Sequence, residues 1–170
     1  LNSYGRVHTE LDLNQTTASA GVTMEAWVYP ASQGSGRAVL STNIDGWNAY
    51  HWSVVQGDTN WLVCNGAQAV DTGLPVMVGQ WQHLAAVFDP ANGVIFYSSA
   101  AAQPFASSQI DFTNNDAKLT IGNHRSYSYG FDGVIDEVQV WNQVRSAAEI
   151  AADRTATLTG NEAGLAGYWR

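Results

Sequence analysis

The sequence contains little charge, and positive charge is the scarcer sign. Only 13% of its 170 residues are charged, and 7 Lys and Arg stand against 15 Asp and Glu, which gives a net charge of −8. Proteins that bind nucleic acid or anionic membranes concentrate Lys and Arg to meet the phosphates, and no such cluster occurs here. The composition therefore argues against both partners. It is compatible with a neutral or cationic ligand, with a bound cation, or with acidity that only aids solubility.

The sequence also has a single cysteine and no long apolar run. Cys64 cannot form an intramolecular disulfide, and its place after Trp61-Leu62-Val63 is typical of a small apolar strand residue. No stretch approaches the roughly 20 apolar residues of a transmembrane helix, so we expect no membrane insertion. We expect residues 1–170 to form one domain whose core needs no disulfide or metal. Because the pattern is still strand-like at Tyr168-Trp169-Arg170, we expect this domain to be excised from a larger protein.

Aromatic residues and glycine are abundant, and they fall in short alternating segments separated by turn signals. In Val22–Pro30 the even positions are apolar and the odd positions are polar or aromatic, which predicts a strand with one buried face. One short helix is predicted over Ser146–Arg154, because Ser146 and Glu149 form a capping-box pattern. The regular succession of short strands and turns predicts an all-β sandwich or barrel. The other predicted strands are Tyr4–His8, Arg37–Asn43, Ala49–Val55, Asn60–Asn65, Trp81–Asp89, Val94–Ser98, Lys118–Gly122 and Val134–Trp141.

Four ring-bearing side chains in predicted strands are expected to lie inside the domain. Trp27, Trp81 and Trp141 all fall in strand-like segments, where large apolar rings are usually buried. His83 lies within an apolar strand, and we expect it to be a buried histidine with its hydrogen bonds satisfied.

An aspartate stands in the predicted strand Val134–Trp141. Strict alternation places Asp136 on the same face as Val134, Val138 and Val140. Burying an unpaired carboxylate is expensive. Asp136 is therefore expected either to bond to backbone and hold the neighbouring loop or to belong to a site, and the structural role is the preferred interpretation.

Six segments along the chain carry a family resemblance. They are Val22–Pro30, Gly79–Asp89, Leu119–Asn123, Phe131–Val138, Trp141 with Ser146–Ile150, and Gly164–Trp169. In order and spacing they resemble the laminin-G-like, or concanavalin A-like, jelly-roll family, which includes bacterial versions and the pentraxins. The resemblance implies an all-β, antiparallel two-sheet jelly-roll sandwich with one short C-terminal helix. It does not identify the function, because the same sandwich hosts lectins, adhesion modules, glycosidases and spacers.

No paired-carboxylate motif for glycoside hydrolysis is present. A glycosidase needs two carboxyl groups roughly 5–10 Å apart across the scissile bond, and laminarinase-type relatives supply theirs as Glu-x-Asp-x-x-Glu from one strand. The nearest approach here is Asp132 with Asp136 and Glu137, and adjacent residues on a strand face opposite ways. We therefore expect no enzymatic activity.

Pentraxin-like relatives hold calcium between two loops, and the resemblance implies equivalent loops here. The first keeps Asp45 and Asn43, whereas the second begins at Asn123 and has Arg125 where acidic residues are expected. Calcium takes roughly six to eight oxygen ligands. The resemblance therefore implies at most one Ca²⁺, held by Asp45, Asn43, Asn123 and backbone carbonyls. The alternative is that these are only turn residues, as Asp and Asn often are.

Aromatic and hydrogen-bonding side chains are interspersed in the same two loops. Sugar recognition needs aromatic rings to stack on apolar sugar faces and polar groups to meet the hydroxyls. The resemblance implies that the loops share one rim, so that these side chains flank a single shallow site; alternatively, the aromatics cap the sandwich end. The predicted ligand-binding residues are Trp47, Tyr127 and Tyr129 for stacking and Asn48, His124 and Arg125 for hydrogen bonds.

These features predict a non-catalytic, lectin-like or adhesion module that recognises a glycan or glycoprotein surface. The parent protein is expected to be secreted or bound at the cell surface, with neighbouring domains as further partners. The alternative is a structural or protein-interaction module without sugar binding, and a glycosidase is the third hypothesis.

Overall fold

Two antiparallel sheets form the domain, as the sequence predicts. A computed structural model describes residues 7–13, 20–42, 52–65, 68–99, 101, 103–107, 118–123 and 130–170. The elements are β1 (Val7–Asp12), β2 (Val22–Pro30), β3 (Arg37–Ser41), β4 (Trp52–Gln56), β5 (Asn60–Asn65), β6 (Gln68–Pro75), β7 (Gln82–Asp89), β8 (Gly93–Ser98), β9 (Phe105–Ser107), β10 (Lys118–Ile121), β11 (Gly133–Trp141), α1 (Ala147–Asp153) and β12 (Leu165–Trp169). The strand order is β1-β10-β3-β4-β5-β6 in sheet A and β12-β11-β2-β7-β8-β9 in sheet B.

The hydrophobic core lies between the two sheets. The even positions of β2 up to Val28 are at most 1% exposed, which confirms the predicted core face. The prediction that only this face is buried is wrong, because Thr23 and Glu25 on the other face are also completely buried. Phe88 and Phe96 are completely buried in the same core, and each contributes about 1.5–3 kcal/mol relative to an exposed side chain. Cys64 is a buried strand residue, as predicted, and burial raises the pKa of its thiol to about 12.

Strands β6 and β9 are absent from the sequence-based prediction. Gly73 and Pro75 interrupt the pattern of β6, and such residues ordinarily indicate a turn. They are tolerated because β6 is the last strand of sheet A, where one side of the backbone needs no ladder bonds. Thr72 fastens this edge strand, since its hydroxyl donates to the carbonyl oxygen of Trp61 at 2.7 Å. Strand β9 has only three residues, too few to show a period.

A β-bulge interrupts the pairing of β11 with β2. Asp136 lies opposite Trp27, whereas Gln139 lies opposite Glu25, so β11 contains one residue more than β2 between these pairs. Glu137 adopts a φ of +50° within this step, a conformation that is uncommon for residues other than glycine.

The bulge reverses which side chains of β11 face the core. Val134 and Asp136 precede it and face outward, and Val134 is 51% exposed. Val138 and Val140 follow it and are buried in the core. The prediction that these four residues share one face is wrong. Side chains on a strand alternate between the two faces, so one inserted residue reverses the faces of all the residues that follow it. Before the bulge β11 passes very close to β2, and a Cβ at Gly133 would overlap a backbone carbonyl oxygen there.

Helix α1 covers part of the outer face of sheet B. Its N-cap Ser146 and Glu149 form the predicted capping box. Ile150 packs against apolar side chains of β7 and β8. At the other end of the helix, the indole N–H of Trp27 donates to the carbonyl oxygen of Arg154 at 3.2 Å. The helix therefore ends beside Trp27 and leaves the outer face beyond it uncovered.

Candidate functional site

Most of the predicted site residues lie outside the described part of the chain. Asn123 is described, and the outcome for the others stays a prediction. What the structure does describe is the end of the strand from which each loop departs. The predicted residues outside the described ranges are Trp47, Asn48, His124, Arg125, Tyr127, Tyr129, Asp45 and Asn43.

The two loops depart from points that lie beside opposite ends of β3. Strand β10 runs antiparallel to β3, with Thr120 opposite Ser41. Residues 43–50 therefore follow the end of β3, whereas residues 124–129 follow the end of β10, which lies beside the start of β3. Over the five residues of β3, the departure points are about 13 Å apart at the rise of a strand. The points of departure thus do not share the single rim that the resemblance implies.

Asn123 is completely buried, and neither atom of its side-chain amide has a hydrogen-bond partner among the described residues. Its backbone position is fixed, because the N–H of Gly122 donates to the Val39 carbonyl at 2.8 Å and the Gly122 carbonyl accepts from Phe131 at 2.9 Å. An unsatisfied buried amide costs about 1–3 kcal/mol. Its oxygen is also a chemically suitable ligand for calcium, so Asn123 fits the predicted role.

Two further findings bear on metal and membrane binding. Within the described ranges, no three His, Cys, Asp or Glu side chains are gathered closely enough to hold a metal ion. In the same part of the chain, no helix has the length and apolar character needed to cross a membrane.

An exposed aromatic pair lies on the outer face of sheet B. Trp81 is 46% exposed, and its ring centroid lies 5.7 Å from that of Tyr29, with 59° between the ring planes. Val134 lies opposite Tyr29 on β11, and Val78 belongs to the adjoining turn. We refer to Trp81, Tyr29, Val134 and Val78 as the aromatic platform.

The prediction that Trp81 is interior is therefore wrong, whereas Trp141 is 2% exposed as expected. Trp81 occupies the last position of a turn, one residue before β7 begins, and the alternation of the strand does not bury it. The signal that could have identified it is the preceding Gly79, which marks the turn.

Polar side chains flank the platform along the strands. Two residues after Val134, Asp136 lies opposite Trp27, and its Oδ1 accepts from the N–H of the next residue at 2.9 Å. Asp136 is thus bonded to backbone, as preferred, although the bond is local. Two residues before Val134, Asp132 accepts one hydrogen bond from Ser32 and pairs with Arg37 of sheet A at 3.2 Å. These contacts, that of Ser32 foremost, hold the pKa of Asp132 below its usual value.

A second polar group of residues lies beneath α1. Glu25 and His83 are 0% and 3% exposed, with 3.4 Å between Glu25 Oε2 and His83 Nε2. Among the described residues, neither carboxyl oxygen of Glu25 nor Nε2 of His83 has a hydrogen bond of regular geometry. His83 is buried as predicted, but the expectation that it is satisfied is wrong. In the same part of the chain, the indole nitrogen of Trp141 and the side-chain oxygen of Gln139 also have no hydrogen bond of regular geometry.

Burial makes both members of this pair neutral at pH 7. Burial raises the pKa of Glu25 from 4.5 to about 8, and the carboxylate of Asp153 on α1 adds to the effect. Burial lowers the pKa of His83 from 6.5 to about 4, with Arg154 adding to it. Strongly shifted carboxyl and imidazole groups can indicate a catalytic site. Here the pair is closed beneath α1, so we assign it to the packing of the helix.

The carboxylate of Glu137 is also engaged by its neighbours. It accepts a hydrogen bond from the hydroxyl of Tyr168, and Arg170 Nε lies 3.7 Å from its Oε1. Asp132, Asp136 and Glu137, the nearest approach to a catalytic set, are therefore each held by local contacts.

Comparison with known proteins identifies the superfamily of this sandwich. A Laminin G family model, described as the concanavalin A-like lectin/glucanases superfamily, matches residues 2–151. A search of the curated protein sequences finds no match.

Solved structures with a similar fold include carbohydrate-binding domains. Domain 4 of the arabinanase AbnA from Geobacillus stearothermophilus, in complex with arabinotriose, has a TM-score of 0.69 at 23% identity over 84% of this chain and 69% of that chain. A putative carbohydrate binding protein from Bacteroides ovatus has a TM-score of 0.70 at 18% identity over 98% of this chain and 48% of that chain. The CBM40 of the Ruminococcus gnavus IT-sialidase, bound to α2,3-sialyllactose, has a TM-score of 0.63 at 16% identity over 89% of this chain and 99% of that chain. At these identities the likeness establishes the fold.

Proposed function

Because the chain belongs to the Laminin G family of the concanavalin A-like lectin/glucanases superfamily, we propose that it is a non-catalytic module that recognises a glycan or glycan-bearing surface. The observation that carries this proposal is the likeness of its sandwich to domains whose structures hold arabinotriose and sialyllactose. The module acts outside the cell or at its surface, where such glycans are met, beside neighbouring domains of a longer chain.

The proposed binding groups come from both loops. In this proposal the rings stack on the sugar and the polar side chains bond its hydroxyls, while one Ca²⁺ bound near Asn123 orders the loop that follows. The buried amide of Asn123, which has no partner among the described residues, supports the ion, since a bound cation would satisfy its oxygen. The stacking residues are Trp47, Tyr127 and Tyr129, and the hydrogen-bonding residues are Asn48, His124 and Arg125. Asp45 and Asn43 complete the calcium ligands in a loop that folds back about 13 Å along β3 toward Asn123.

Removing a stacking ring is expected to weaken glycan retention. We expect Trp47→Ala and Tyr127→Ala each to reduce affinity about tenfold for the best ligand found on a glycan array with calcium, the loss typical of a stacked ring. Because the loops depart about 13 Å apart along β3, the two losses should multiply in the double variant. Isothermal titration calorimetry measures each affinity. Val144→Ala, at a 39% exposed position, is the control that should bind as the wild type does.

Two outcomes would count against the loop site. The first is a protein that retains no glycan on the array in the presence of calcium. The second is unchanged glycan affinity in both ring variants. If the same variants instead lost contact with a neighbouring domain, the structural or protein-interaction role would replace the one proposed.

Calcium is expected to raise the melting temperature through Asn123. At a hundredfold excess over Kd, an ion bound only by the folded state adds about 2.7 kcal/mol, which corresponds to roughly 5–10 °C for a chain of this size. Calorimetric scans in chelator and in calcium measure this difference, and Asn123→Ala should abolish it. Ser53→Ala, which alters another completely buried polar residue, should preserve it. Equal melting temperatures in chelator and calcium would remove the ion from the proposal but not the sugar.

A further inference from the structure

We propose that the aromatic platform on the outer face of sheet B is a second saccharide-binding site. It binds a neutral sugar unit whose apolar face stacks on Trp81 and whose hydroxyls meet the polar groups beside the platform. The platform is built from β2, β11 and the turn before β7, and it uses no residue of the two loops. The inference therefore extends beyond the loop site of the proposed function.

Exposed apolar side chains concentrate on this face. Five large hydrophobic residues are at least 37% exposed in the described part of the chain, and Trp81, Val134 and Val78 are three of them. The other two, Val7 and Val144, lie on different elements. Isolated exposed hydrophobic residues need no explanation, whereas a contiguous apolar patch bordered by polar groups is typical of a binding surface.

The ring geometry suits a sugar. With 5.7 Å between centroids and 59° between planes, Trp81 and Tyr29 meet at an angle and do not stack face to face. Trp81 is 46% exposed, so about half of its surface is accessible to a ligand. The face of an aromatic ring is electron-rich and attracts partially positive groups, such as the C–H bonds on the apolar side of a pyranose or furanose.

The turn that carries Trp81 is fixed before any ligand binds. Gly79 N–H donates to the Pro30 carbonyl at 2.8 Å, which ties the turn to the end of β2. Gln82 is 1% exposed and accepts from the N–H of Met77 at 2.8 Å. A ring held in this way loses little conformational entropy on binding, which favours affinity.

The neighbouring polar groups favour a neutral, hydroxyl-rich ligand. Along the chain, Asp136 follows Val134 by two residues, and Asp132, paired with Arg37 of sheet A, precedes it by two. Carboxylate and guanidinium groups accept and donate the hydrogen bonds that sugar hydroxyls offer. Because both signs of charge are present, the surroundings select neither a strongly anionic nor a strongly cationic ligand.

The size of the platform favours a sugar over a protein. Four partly exposed side chains, two of them valines, offer on the order of 300 Å². A standard protein interface takes roughly 800 Å² from each partner. One or two sugar units cover a platform of this size, whereas a stable protein contact needs a larger surface.

The test is an NMR titration of the Trp81 indole N–H in the variant Trp47→Ala/Tyr127→Ala, which lacks two loop rings. The probes are arabinotriose, cellotriose, xylotriose and mannotriose at millimolar concentration, and Trp81→Phe assigns the signal by its disappearance. We expect at least one probe to shift this signal saturably. Trp81→Ala should weaken that binding about tenfold or more, as loss of a stacked ring does, whereas Trp81→Phe should retain most of it.

A matched pair of valines supplies the control. Val134 and Val7 are both strand residues and both 51% exposed, so Val134→Ala should weaken binding whereas Val7→Ala should not. A Trp81 signal that no probe moves overturns the inference. So does a Trp81→Ala variant that binds sugar normally but loses self-association or contact with a neighbouring domain. If the loop variant alone abolishes sugar binding, the proposed loop site stands and this inference is refuted. If sugar binding survives in the loop variant and is lost with Trp81→Ala, this inference stands and the loop site is refuted.

Discussion

Replacing Arg145 by methionine is expected to destabilise the domain by about 3–5 kcal/mol, because the change leaves a buried carboxylate without its counter-ion. The side chains of Arg145 and Asp153 are 11% and 9% exposed, and Arg145 Nε donates to Asp153 Oδ2 at 3.1 Å. The guanidinium also lies 3.9 Å from the ring centroid of Trp141. Differential scanning calorimetry should record a melting temperature lower by roughly 10 °C.

A surface ion pair provides the control for this variant. Lys118 and Glu10 also form a salt bridge, but their side chains are 57% and 88% exposed. Lys118→Met should therefore leave the melting temperature close to that of the wild type. The double variant Arg145→Met/Asp153→Leu should recover most of the loss, because apolar residues can replace a buried pair. A loss in Arg145→Met no larger than that in Lys118→Met would show that the pair does not hold α1.

The stability of the domain is expected to fall between pH 6.5 and 8, and Glu25→Gln is expected to remove this fall. Glu25 has a pKa of about 8 in the folded state, so the stability it contributes is complete below pH 4.5 and is lost as the pH rises through 8. His83 has a pKa of about 4, so its contribution is lost as the pH falls from 6.5.

The two residues therefore give the free energy of unfolding a plateau with a decline at each side of it as the pH changes. Between pH 4.5 and 6.5 their effects on stability oppose one another, because the folded state retains the proton of Glu25 and excludes the proton of His83. Above pH 6.5 only the effect of Glu25 remains, and stability falls. Below pH 4.5 only that of His83 remains, and stability falls again.

Urea unfolding at several pH values measures this profile. In Glu25→Gln the side chain does not titrate, so the decline above pH 6.5 should disappear while the acid decline persists. Glu10→Gln, at an exposed position, should retain both declines. A wild-type profile that is flat from pH 6.5 to 8 would contradict the burial of a protonated Glu25.

Local sequence patterns predicted the strands that alternate regularly. Strand β2 has the bounds predicted for it, and α1 begins at the predicted cap, because alternation and capping each depend on a few neighbouring residues. Strand β6 was not predicted, since Gly73 and Pro75 are acceptable there only because the strand lies at an edge. An edge position is a property of the whole sheet and has no local signal.

The candidate site was less predictable for a related reason. The exposure of Trp81 depends on where one turn ends, and the neutral pair of Glu25 and His83 depends on α1 packing over two strands that are distant in sequence. The separation, by the length of β3, of the two strand ends from which the loops depart likewise follows from the register of β10. All three features depend on contacts between segments that are distant in sequence. Composition and motif spacing therefore do not predict them.

The bulge at Glu137 divides β11 into two halves that can change independently. Because of the extra residue, Val138 and Val140 fill the core while Val134 and Asp136 face outward. Substitutions in the first half can alter the outer face without disturbing the sandwich. Deleting the one inserted residue would couple the two halves and turn Val134 and Asp136 inward. A single additional residue thus lets one strand combine a constant framework with an adaptable surface.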